Sequence, residues 1–257
     1  MSALSDTSVP PELEPLIALA DDHLVLGQRT AERTGANPSL EEELAMANLG
    51  LDLIGQARAL YAEIAKREGA GRTEDDLAFL RPEHRYLNLL LVEQPNEDFA
   101  HTVTKNLLFS AFMTPYWDAA TGSTDQEISG IAQQAVKEST HHRRHAAEWV
   151  IRLGDGTAES RARMIDALET LWPFCGELFE VTPAERAAVE SGRLPDRASL
   201  RAPWEAAVTE VLRRATLEVP RAPMHQSGGR HGRHTEAMGH LLAALQHLPL
   251  SHSGAVW

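Results

Sequence analysis

Only one cysteine, Cys175, stands in the 257 residues. No disulfide can form within the chain, and that usage fits a reducing compartment. The residues around it, LWPFCGELF, are apolar and read as the setting of a buried thiol rather than a reactive one. No apolar run approaches the ~18 residues needed to cross a bilayer; the longest candidate is LNLLLV at 87–92. The first residues, MSALSDTSVPPELEP, lack the basic start and apolar stretch of a secretory signal. Positive charge is scarce as well, with 24 Lys and Arg against 37 Asp and Glu, a net charge of −13. Such a balance opposes nucleic acid or an anionic membrane as the main partner. Alternating apolar and polar runs and hairpin turn signals are also missing, which excludes a β architecture. A cytoplasmic protein is expected.

Helical periodicity fills most of the chain. A first segment, 12–34, ends at Gly35 and Pro38. Ser39 and Glu42 then have the form of a capping box opening a long helix. Leu40, Leu44, Ala47, Leu51, Ile54, Arg58, Tyr61 and Ala65 recur along it at steps of three and four, the spacing of a bundle seam. Gly50 and Gly55 inside it predict close approach of a neighbouring helix. Thr73 caps a shorter piece, and Pro95 in VEQPN marks a turn between two helices. A long helix starting at Asn96 or Glu97 closes at Gly122, with a kink predicted at Pro115. Thr124 caps another that ends at Gly154. Further helices cover about 157–180, the stretch APWEAAVTEVLRRATLEV and the final HTEAMGHLLAALQHL, with short pieces near Pro183 and Pro203. The fold class is therefore all-α, a four-helix bundle core with two or three outer helices, in a single domain over 1–257 whose first 11 residues are flexible.

One stretch, VKESTHHRRHAAEW at 136–149, raises the possibility of metal chemistry. Glu138, His141 and His142 share a helix face, and Glu-x-x-His on an inward face is half of a carboxylate-bridged di-iron site. A complete site needs a second such pair and one further carboxylate from each of two other helices. The second long helix has no histidine, since none stands between His23 and His84, and offers Asn48, Asp52 and Gln56 instead. The third has no acidic residue between Asp98 and Asp118. Only two acidic-x-x-His pairs exist, Asp98/His101 and Glu138/His141, which is what random placement of 12 histidines and 37 acidic residues gives. Glu138, His141 and His142 are thus expected to be a vestigial half-site, with no metal and no catalytic residue in this chain. A free-standing di-iron enzyme, or a cofactor-free one using the same three residues as acid and base, is the alternative, and the latter requires an open pocket beside them.

Long phrases of the chain resemble the C subunits of the bacterial phenylacetyl-CoA epoxidases, also called ring-1,2-phenylacetyl-CoA monooxygenases. They are AMANLGLDLIGQAR (45–58), NLLLVEQPNEDFAHT (88–102), KESTHHRRHAAEWVIRLGDGT (137–157), LWPFCGELF (171–179) and SGGRHGRHTEAMGHLLAALQ (227–246). The resemblance extends from about residue 16 to Trp257. It implies a ferritin-like fold and a structural role in an oxygenase of aerobic phenylacetate catabolism. In that family a catalytic di-iron A subunit epoxidises phenylacetyl-CoA with O₂ and NADPH. The C subunit, without metal ligands, holds the A subunit in a stable assembly. A small B subunit joins these assemblies, and a separate reductase with FAD and an iron–sulfur cluster supplies electrons. His142 corresponds to the family's usual imidazole; His141 is an additional one, and His101 has no recognised counterpart.

Three expectations follow for other residues. A metal-free bundle must neutralise Glu138, and Arg144, His142 or a second-helix residue such as Arg58 could do so. Asp52, Gln56, Arg58 and Arg144 are accordingly expected in a buried polar network or a partner interface, and the resemblance implies that such an interface lies on the first two long helices near Asp52, Gln56 and Arg58. The tail QSGGRHGRHTE, with Gly228, Gly229, Arg230, Arg233 and His234 before a helix, has features of a contact for a coenzyme A phosphate, though a basic loop without that role has the same composition. A zinc site from the histidines of 225–240 lacks a fixed ligand set.

Overall fold

The computed structural model describes residues 4, 8–221 and 224–252. Every regular element among them is helical: α1 (Glu14–Ala31), α2 (Leu40–Glu68), α3 (Glu74–Phe79), α4 (Leu90–Glu93), α5 (Phe99–Ala120), α6 (Gln126–Gly154), α7 (Ala158–Leu171), α8 (Pro183–Glu190), α9 (Arg201–Arg214), α10 (Glu236–Leu245) and α11 (His247–Ser251), joined by short 3₁₀ turns. The bundle consists of two hairpins, α1 against α2 and α5 against α6, while α7 and α9 pack on the second hairpin. The outer layer is larger than the expected two or three helices.

Amphipathicity explains which helices lie inside. α5 buries every residue from Ala100 to Met113, and α1 buries all from Pro15 to Gly27. A helix buried all round belongs at the centre of a bundle. α6 instead buries one stripe, Ile128, Ala132, Ala135, Ser139, His142, Ala146 and Val150, and shows its other face to solvent.

α2 corrects the predicted seam. Its buried stripe is Met46, Leu49, Leu53, Ala57, Leu60, Tyr61 and Ile64. Leu40, Leu44 and Leu51 stand 72%, 60% and 66% exposed. Leucines occupy both faces of α2, so spacing alone did not identify the inward one. A Cβ at Gly50 would make only ordinary contact, 3.5 Å from the Gly27 carbonyl oxygen of α1, and Gly55 faces open space; the tight position is Gly27, where a Cβ would lie 2.9 Å from Ile54 Cγ1.

Caps define the ends. Ser39 accepts the Glu42 amide at 3.4 Å. The reciprocal half of the expected box is absent, because the Glu42 carboxylate reaches α6. Thr73 and Asp76 form a complete box. Asp125, rather than Thr124, caps α6, accepting from the Ile128 amide at 3.3 Å. α5 continues through Pro115, and α7 ends at Leu171, where a 3₁₀ segment takes over to Phe179. At the N-terminus, Val9 is buried in the core and Pro11–Leu13 form a 3₁₀ turn. Of the leader expected to be flexible, residues 1–3 and 5–7 lie outside the described residues.

Candidate functional site

α2 and α6 run antiparallel and are joined by a ladder of polar side chains. Glu42 meets His145 Nε2 at 2.9 Å, and Asp52 meets His142 Nε2 at 3.0 Å. Gln56 donates to Glu138 Oε2 at 2.7 Å. Lys66 reaches Glu127 at 3.2 Å, and Arg67 grips both oxygens of Asp125 at 2.5 and 2.8 Å. Gln56 is buried in this ladder, whereas the Asp52 side chain is 38% exposed.

Glu138 is hydrogen-bonded by neutral amides rather than by any of the predicted cations. Each of its oxygens accepts from an amide, Gln56 Nε2 on one side and Gln134 Nε2 at 2.6 Å on the other. Arg58 is exposed and pairs with Glu74 at 3.4 Å, and Arg144 is exposed beside the equally exposed His141. Neither arginine belongs to a buried network, a correction with a simple cause: both sit one helical step away from the inward face. His142 is buried, and that burial, outweighing the hydrogen bond and charge of Asp52, pushes its pKa down.

Deeper in the bundle lies His23 of α1, fully buried against the rings of Phe109 and Trp117. Its Nδ1–H donates to the Leu19 carbonyl at 2.7 Å, and its Nε2 has no hydrogen-bond partner. Desolvation holds its pKa down at about 4, despite the backbone bond and the nearby Asp22 charge. Sequence reasoning missed it because a lone histidine among leucines has no motif.

These donors do not fit a pair of irons. α5 contributes Lys105, Asn106 and Ser110 to the interior but no carboxylate, and α2 contributes no imidazole. Glu138, Asp52 and His142 are committed to one another's helices by hydrogen bonds. Among the described residues, the trio of histidine and carboxylate ligand atoms that converges within 4.8 Å lies elsewhere, at Glu97, His101 and Asp166. Among the described residues, surface clefts of about 610, 590 and 320 Å³ are lined by other side chains than Glu138, His141 and His142.

A second polar centre is wholly buried and carries full charges. Adjacent Asp21 and Asp22 of α1 each bind one buried arginine and one loop amide. Asp21 pairs with Arg81, accepts from Tyr61 Oη at 2.5 Å and accepts from the Leu87 amide at 2.7 Å. Asp22 takes a bidentate pair from Arg230, at 2.9 and 2.6 Å, and the Leu89 amide at 2.7 Å. Glu177 accepts from the amides of Gly228 and Gly229, both at 2.8 Å, and of Leu90 at 2.7 Å. Glu93 holds the Thr235 amide at 2.6 Å and His234 Nδ1 at 2.8 Å.

The glycine-rich tail is thus an anion-binding loop whose anions are the protein's own carboxylates. A Cβ at Gly229 would overlap the Asn88 carbonyl oxygen, which requires glycine at that close approach. This corrects the expected coenzyme A contact: Gly228, Gly229 and Arg230 are buried, and the His234 side chain is 0% exposed. Of the five residues named for that contact, only Arg233 is exposed.

A four-helix bundle with carboxylate and imidazole rungs is the class that fold and interior define among the described residues. The family model described as phenylacetic acid catabolic protein matches residues 2–257, and the chain belongs to that family. It is 41% identical over 241 residues to the C subunit of the 1,2-phenylacetyl-CoA epoxidase of Escherichia coli (strain K12), covering 94% of this chain and 97% of that protein. No helix among the described residues is long and apolar enough to cross a membrane.

Proposed function

We propose that this chain is a non-catalytic structural subunit of a phenylacetyl-CoA epoxidase acting in aerobic phenylacetate catabolism. It binds no iron of its own, holds a catalytic di-iron A subunit in a stable assembly, and works with a small B subunit and an FAD and iron–sulfur reductase in the cytoplasm. Phenylacetyl-CoA binds mainly to the A subunit. The observation that carries this reading is the pairing of the bundle's interior donors. Glu138 is held by two amides and His142 by Asp52, in a bundle whose α5 offers no carboxylate.

The surface of α2 supports a partner role. Leu40, Leu44 and Leu51, at steps of four and seven, form an exposed apolar stripe on one helix face. Obligate interfaces resemble a core cut in half, and this stripe fits the catalytic partner, as the relative's name describes a subunit of an epoxidase. Co-expression of the chain with the A subunit, followed by affinity purification, tests it. The two are expected to co-purify, and Leu44→Glu with Leu51→Glu is expected to abolish the complex while changing the chain's own stability by no more than ~0.5 kcal/mol. Epoxidation by this chain and reductase without the A subunit would overturn the proposal.

A further inference from the structure

The start of α5 carries a cluster that the epoxidase reading does not use. His101, in the first turn, is 3% exposed, and its Nδ1 lies 2.9 Å from Asp98 Oδ1. Asp98 caps the helix by accepting the His101 amide at 2.9 Å, and Arg163 of α7 lies 3.8 Å from its other oxygen. With Nδ1–H donating to Asp98, the Nε2 lone pair is left pointing away from it.

That Nε2 is buried without a hydrogen-bond partner. It faces Asp166 of α7, whose Oδ2 lies 3.8 Å away, and a carboxylate oxygen of Glu97 lies within 4.8 Å of both. A gap of 3.8 Å is too long for a hydrogen bond. It is the separation expected of two ligands sharing one ion at metal–ligand distances of about 2.0–2.2 Å. A histidine oriented by a carboxylate at its far nitrogen is the usual support for a metal ligand.

We propose that Glu97, His101 and Asp166 form a binding site for a first-row divalent cation, Zn²⁺ foremost, with Asp98 as the residue that positions His101. One imidazole with two carboxylates suits zinc better than Mg²⁺ or Ca²⁺, which prefer all-oxygen sets. Solvent completes the coordination, because Glu97 and Asp166 are exposed. The ion would tie α7 to the beginning of α5, far in role from the vestigial half-site on α6.

Titration of the metal-free full chain with ZnCl₂ by calorimetry tests the site. The chain should bind one equivalent, and Glu97→Gln with Asp166→Asn, both at exposed positions, should weaken binding at least tenfold, the scale seen when a metal's supporting groups are lost. Far-UV circular dichroism establishes that this variant is folded. No zinc binding by the unaltered chain overturns the proposal. Equal affinity in the double variant also overturns it, because the zinc would then sit on other surface histidines such as His225 or His240.

Discussion

Two polar centres of this bundle solve the same electrostatic problem in opposite ways. Between α2 and α6, one carboxylate, Glu138, is half-buried and is satisfied by amides. Around α1 and the tail, Asp21, Asp22, Arg81 and Arg230 are at most 5% exposed and are satisfied by full opposite charges and loop amides. A carboxylate that keeps some solvent tolerates neutral donors, whereas one removed from water needs a cation within contact. The first centre is therefore adjustable, and the second locks the tail onto α1.

The largest expected effect comes from breaking the lock. Arg230→Met leaves Asp22 buried beside Leu89 with no counter-ion, and should cost about 3–5 kcal/mol in urea denaturation. Next is acid sensitivity centred on His23. Its pKa is lowered from 6.5 to about 4 on folding, so the unfolded chain takes up a proton as pH falls below about 6.5 while the folded chain stays neutral. Stability is thus unaffected above that range and declines toward pH 4, by roughly 3 kcal/mol from this group. His234 acts with the opposite sign. Burial lowers its pKa, but the hydrogen bond and charge of Glu93 win and the net shift is upward. Its contribution is full below the unfolded value and is lost as pH rises through the raised one. Unfolding free energies from pH 4.5 to 8 should show the acid-side slope flatten in His23→Met.

The smallest effect belongs to the ladder. Gln56→Leu removes one donor from Glu138, which keeps Gln134 and partial solvent contact. About 1 kcal/mol is expected. A loss as large as that of Arg230→Met would mean that the two centres are not distinct in kind.

What could be read in the sequence divides along the same line. The four long helices were legible, because periodicity and terminal residues such as Ser39 and Gly154 are local signals, but the N-caps of α5 and α6 lie at Asp98 and Asp125 rather than at Asn96 or Glu97 and Thr124. That α2 has no histidine and that α5 has no acidic residue between Asp98 and Asp118 were legible as well, since these depend on residue type rather than direction. Orientation was not. Leu44 and Leu49 are chemically alike, yet one faces solvent and the other the core. Arg230 and Arg233 look equally basic, and only the fold decides that the first is buried against Asp22, 208 positions earlier. The glycines of the tail correctly signalled an anion, but its source was Glu177 of the same chain.

Iron content after anaerobic loading with Fe(II) and desalting tests the central claim most directly, using the Glu97→Gln, Asp166→Asn variant so that the cluster at α5 contributes nothing. The absence of a ligand set in the bundle predicts about zero iron per chain. About two irons per chain, the complement of a carboxylate-bridged site, would contradict it.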